Sequence, residues 1–172
     1  LSDTRVVERP PILWQPILKG IILNTRPKKS AEAYQSVWTD EGSPLLVISK
    51  RQRQALEAGL RERLGDSFRL ELAMRYGNPS IAAGLEALRL AGARRILVLP
   101  LYPQYSATTT ATVFDQVTTA LRGQRWVPEL RFINQYHDRP RYIAALADSV
   151  REHWRANGRG ERLLFSFHGI PQ

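Results

Sequence analysis

Three times along the chain a short apolar run breaks off into a polar segment rich in aromatic residues, glycine and proline. Leu70-Glu71-Leu72-Ala73-Met74 leads into Arg75-Tyr76-Gly77-Asn78-Pro79-Ser80, and Arg95-Ile96-Leu97-Val98-Leu99 into Pro100-Leu101-Tyr102-Pro103-Gln104-Tyr105-Ser106. Leu163-Leu164-Phe165-Ser166-Phe167 leads into His168-Gly169-Ile170-Pro171. Apolar runs of this length read as buried strands of a parallel sheet. Such a sheet brings the carboxyl ends of its strands to one edge, where ligands and chemistry sit. At the last run Gly169 frees the backbone to turn and Pro171 stops the ladder. His168 therefore stands just past a strand end, either satisfied by backbone or available for chemistry.

The full set of expected strands is Phe68–Met74, Arg95–Leu101, Leu130–Ile133 and Arg162–Phe167. Helical periodicity fills the intervals. Ser80–Ala91 opens on an N-cap serine and stops at Gly92. Thr108–Leu121 stops at Gly123, and Pro140–Asn157, capped by Asp138, stops at Gly158. Ser49–Leu64 is expected to pack beside them. Strand, helix, strand at this spacing predicts an α/β fold of the Rossmann-like class: a four-stranded parallel sheet flanked by helices. Residues 48–172 form that domain, and residues 1–47 a lip with a connecting helical region. Within the lip, Pro10–Leu23 is apolar but interrupted by Pro16, Lys19 and Gly20, so it is too short and broken to span a membrane. It reads either as a core helix or as an apolar edge covering a flat ligand or touching a membrane surface.

With 43% hydrophobic and 24% charged residues, the chain has the composition of a soluble globular domain. It has no cysteine, which removes disulfides and thiolate metal sites. Leu1-Ser2-Asp3-Thr4-Arg5 does not read as a signal peptide, so a cytoplasmic location is expected, with membrane association through the lip. The net charge of +9 raises nucleic acid as a partner. Its arginines, however, alternate with glutamates at helical spacing, as in Arg53, Glu57, Arg61 and Glu62, a solvated pattern. No nucleic-acid motif accompanies them, and an anionic small molecule accounts for the excess equally well.

Glu41-Gly42-Ser43-Pro44-Leu45, Met74-Arg75-Tyr76-Gly77-Asn78-Pro79, Leu101-Tyr102-Pro103-Gln104-Tyr105-Ser106-Ala107-Thr108-Thr109-Thr110 and Phe165-Ser166-Phe167-His168-Gly169-Ile170-Pro171 resemble, in that order, segments of the ferrochelatase family. The likeness runs along essentially the whole chain. It implies insertion of ferrous iron into a porphyrin, protoporphyrin IX, at the end of haem biosynthesis, with iron as substrate metal and no resident cofactor. It also implies an apolar strand with a Gly-Thr-Pro turn before this sequence. After it would come a second α/β half bearing a glutamate that faces the histidine. On that reading the chain is an N-terminal-half fragment, inactive alone.

By the same resemblance His168 is the catalytic residue and the contact for iron. A neutral imidazole can accept a pyrrole proton or bind a divalent metal, and both roles remain open. Tyr102 and Tyr105 offer ring faces and hydroxyls to a flat ligand, although Tyr102 suits core packing nearly as well. Ser106, Thr108 and Thr109 stand at a helix start that favours anions or simply caps itself. Arg75, after a buried run, needs a propionate or an acidic side chain to satisfy it. Arg26 either holds a propionate or is solvated, and Ser43-Pro44 matches a loop lining the pocket. Tyr76 and Gln104 complete the substrate-binding set, whereas His137 and His153 read as structural. A non-catalytic tetrapyrrole carrier is the alternative from another class. A nucleotide-binding domain ranks last, for want of a Gly-rich phosphate loop.

Overall fold

The computed structural model describes residues 3–7 and 10–169. After a turn at Asp3–Val7, helix α1 (Pro11–Ile17) carries Pro16 inside it and relaxes into a π-helical turn, Leu18–Ile22. Short helices α2 (Leu23–Thr25) and α3 (Pro27–Gln35) follow. This first region buries Leu18 and leaves Ile12, Leu13, Ile21 and Leu23 at least half exposed.

Helix α4 runs from Pro44 to Leu64, starting on a proline whose fixed φ suits the first helical position and ending at Gly65, where φ is +63°. The sequence predicts this helix from Ser49 and places Ser43-Pro44 in a loop. Instead Ser43 occupies the N-cap and Pro44 the first turn, so residues 47 and 48, the expected domain boundary, lie within one helix.

Helix α5 (Ile81–Leu90) begins as expected, with the Ser80 hydroxyl accepting from the Ala83 amide at 3.2 Å. Gly84 lets it lie close to the preceding extended segment: a side-chain carbon at that position would sit 3.4 Å from Ala73 Cβ. Strand β1 (Arg95–Val98) pairs in parallel with β2 (Glu129–Phe132), in a register from Arg95↔Glu129 to Val98↔Phe132. Between them come a π-helical turn, Ala107–Ala111, and helix α6 (Thr112–Leu121). Ile81 and Leu85 of α5, Ile96 of β1, and Val113, Val117 and Leu121 of α6 form the core. Phe114 meets Phe132 edge to face at 5.5 Å. Helix α7 (Pro140–Asn157) closes the regular structure without a side-chain cap. Its N-cap position is Arg139, so Asp138 does not have the capping role expected of it.

The four-stranded sheet is not what forms. Among the described residues the sheet has two strands, β1 and β2. Residues 68–73 carry no ladder, and Met74 makes a single isolated bridge to Ser80. Leu70, Leu72 and Met74 instead line, with Leu97 and Leu99, a cavity of about 320 Å³. Residues 162–167 are likewise without a strand, with Leu164 90% and Phe167 87% exposed. Apolar content identifies a run that could be buried in a sheet, but a strand also needs a neighbour at hydrogen-bonding distance.

Candidate functional site at the carboxyl edge of the sheet

The chain leaving β1 turns at Pro100, which is buried, and exposes Tyr102 and Tyr105. The chain leaving β2 crosses to it. The amides of Tyr136 and His137 both donate to the Pro103 carbonyl, at 2.8 and 3.0 Å, tying the two strand-end loops together. Tyr136 stacks edge-on against Tyr142 at 5.4 Å, and burial pushes its phenol above the ordinary value. His137 Nδ1 is buried with no hydrogen-bond partner. His137, which the sequence reading treated as structural, thus belongs to the same edge as the tyrosine loop.

Beyond Tyr105, Ser106 caps the π-helical turn, its hydroxyl accepting from the Thr108 amide at 3.2 Å and lying 2.9 Å from the Thr108 hydroxyl. The widened turn is closed by the Ala111 amide donating to the Ser106 carbonyl. Thr110 is 1% exposed and its hydroxyl has no partner, whereas the equally buried Thr112 donates to the Thr109 carbonyl at 2.7 Å. π-Helical turns recur at functional sites, and a buried hydroxyl left unpaired calls for a reason.

A second cluster surrounds Arg75. Its guanidinium donates to Asp3 at 2.5 Å and to Gln116 at 3.3 Å, while the Tyr76 hydroxyl donates to the same Asp3 oxygen at 3.0 Å. The guanidinium also sits 4.4 Å from the centre of the Tyr76 ring, a cation–π contact. Burial and the Asp3 carboxylate push the Tyr76 phenol above its usual value. Two residues on, Arg5 forms an ion pair with Asp115 of α6, which holds that carboxyl below the usual range. The Arg75 charge is thus compensated by an acidic side chain that sequence alone does not single out, while its buried Nε has no hydrogen-bond partner.

The other expected site residues are scattered. Arg26 and Gln104 are exposed, and Ser43 serves the start of α4. His153 lies exposed on α7 against Asn157. His168 is exposed, with its Nδ1 2.6 Å from the Gly169 carbonyl; no hydrogen bond, ion pair or ring contact joins it to Arg75 or Tyr105 among the described residues. Ile170 and Pro171 of the predicted turn lie outside the described residues. Among the described residues no group of three or more His, Cys, Asp or Glu side chains could hold a metal ion, and no helix is long and apolar enough to cross a membrane.

The ferrochelatase family model matches residues 1–172, the full sequence. The chain belongs to the ferrochelatase family. It is 59% identical over 172 residues to a ferrochelatase of Thioalkalivibrio sulfidiphilus, covering 100% of this chain and 47% of that protein. It is 58% identical over 171 residues to ferrochelatase 1 of Shewanella oneidensis, covering 99% of this chain and 51% of that one. An Azoarcus ferrochelatase is 56% identical over 172 residues. The chain spans about half the length of these relatives.

Proposed function

We propose that this chain takes part in inserting ferrous iron into a porphyrin, protoporphyrin IX, to give haem. The observation that carries the proposal is the family match along the whole sequence, with 59% identity to a relative named ferrochelatase. In that reaction a divalent iron replaces two pyrrole protons, so the site must grip a flat ring, remove two protons and admit a metal. The half-exposed Tyr102 and Tyr105 suit the ring. Arg26 is exposed and open to a propionate. Asp3 already engages Arg75, so the Arg75 charge is not the one assigned to a propionate.

His168 is the group assigned to the protons and the iron. Its imidazole lies on an exposed segment that can be brought against a bound ring, and a neutral imidazole can both accept a proton and bind a divalent metal. The exposed Ile12, Leu13 and Ile21 suit the lip to a membrane surface or the ligand's apolar face, consistent with a cytoplasmic protein associated with membranes. His168→Ala in the full-length protein tests the proposal. Iron insertion should be abolished, while quenching titrations show porphyrin still bound. Substantial turnover by that variant would remove His168 from the chemistry. A wild-type protein that binds porphyrin without metallating it would favour the carrier reading.

A further inference from the structure

Asp3 stands out because its carboxylate gathers the Arg75 and Tyr76 side chains, more than seventy positions away, as well as an amide of its own turn. One oxygen accepts from Arg75 and from the Tyr76 hydroxyl; the other accepts from the Arg5 amide at 3.0 Å within its own turn. The Asp3 and Arg75 side chains are only 13% and 15% exposed, so each charge depends on the other for compensation. Tyr76 differs: its residue is 59% exposed, one face of its ring is covered by the Arg75 guanidinium, and its hydroxyl is tied to Asp3. The result is an aromatic ring fixed at one face and at its tip, in a residue that is otherwise largely exposed. Tyr76 follows Met74 at the end of the run that lines the 320 Å³ cavity with β1.

We propose that Asp3 is a positioning residue, whose carboxylate locks the Arg75–Tyr76 pair so that the Tyr76 ring forms a platform for the flat ring of the porphyrin. This rests on the function proposed above and deepens it. An aromatic side chain otherwise loses rotamer freedom when a ligand stacks on it, and a ring held in place beforehand avoids that cost. The Arg5–Asp115 ion pair, one turn away, holds the segment bearing Asp3 against α6. Asp3 thus links the start of the chain to the ligand edge.

The test uses full-length protein carrying 13C-labelled tyrosine, with Asp3→Asn, Asp3→Glu and Tyr76→Phe variants. Tyr76→Phe identifies the Tyr76 resonance. In Asp3→Asn the phenol should titrate at lower pH, because the carboxylate that raised it is gone while the Arg75 cation remains. The porphyrin KM should rise about tenfold, the size of one charge-assisted hydrogen bond, with little change in kcat. Asp3→Glu should recover most of both effects. The double variant Asp3→Asn/Tyr76→Phe should cost hardly more than either single change. If Asp3 merely tethered the chain, Asp3→Asn would lower stability and leave the porphyrin KM unchanged, which would overturn the proposal. Failure of the wild type to insert iron would overturn the function instead. Porphyrin dissociation constants would still decide the role of Asp3.

Discussion

Thr110 and Thr112 are a matched pair for which the structure predicts opposite outcomes. Both are 1% exposed, both are β-branched, and they stand two residues apart, so Thr→Val changes shape equally little at each. Their hydroxyls differ. That of Thr112 donates to the Thr109 carbonyl at 2.7 Å, and that of Thr110 has no partner. Leaving a buried polar group unpaired costs about 1–3 kcal/mol, whereas a satisfied hydrogen bond contributes about 0.5–1.5 kcal/mol net. Thr110→Val should therefore stabilise the protein by about 1 kcal/mol, and Thr112→Val should destabilise it by about 1 kcal/mol. For a protein of this size each amounts to a Tm shift of about 2–4 °C, in opposite directions. Urea unfolding followed by circular dichroism measures both, with wild type, each variant and the double variant in one series. Equal losses in the two variants would refute the reasoning, because they would show that the Thr110 hydroxyl has a partner in solution. If that hydroxyl is held in reserve for a ligand, Thr110→Val will also weaken porphyrin binding while raising stability, a separation the same samples can show.

Leu121→Ala removes a 4% exposed side chain from the core shared by α5, α6 and β1, and should cost about 2–5 kcal/mol in the same unfolding assay. Asp115 has a folded-state pKa below its ordinary value of 3.8, so its pairing with Arg5 contributes stability above that value and loses it as the pH falls through the lower folded one. Asp115→Asn should flatten that part of the acid limb, and salt should do so partly, since both side chains are 42% exposed. Tyr76 behaves in the opposite sense. Its raised pKa adds stability below the ordinary value of 10.0 that is lost as the pH climbs through the folded value, so alkaline unfolding of Tyr76→Phe should begin later than in wild type.

The βαβ core could be read from the sequence because its signals are local. Ser80 announces a helix start, Gly92 follows its end, and the runs at residues 95–98 and 129–132 form strands on either side of α6. The outer runs carried the same apolar signal and did not become strands, since pairing depends on what lies alongside, which no window of sequence contains. The site divided in the same way. Arg75 after an apolar run stated a need for an acid, and the structure met that need with Asp3, 72 positions away. Nothing in Leu1-Ser2-Asp3-Thr4-Arg5 marks its aspartate apart from an ordinary polar one. The same holds for His137: its neighbours in sequence suggest a turn, and only the fold places its buried Nδ1 beside the tyrosine loop.

The Pro103 carbonyl, shared by the amides of Tyr136 and His137, has a consequence for how the ligand edge moves. Neither amide can exchange its hydrogen with solvent until that carbonyl lets go. Exchange at these two positions therefore reports the opening of the loop holding Tyr102 and Tyr105, seen from the opposite strand. The two should exchange together, at a rate unlike that of the α7 amides beyond them. A flat ligand that pins the tyrosine loop would slow both at once, though it need touch neither.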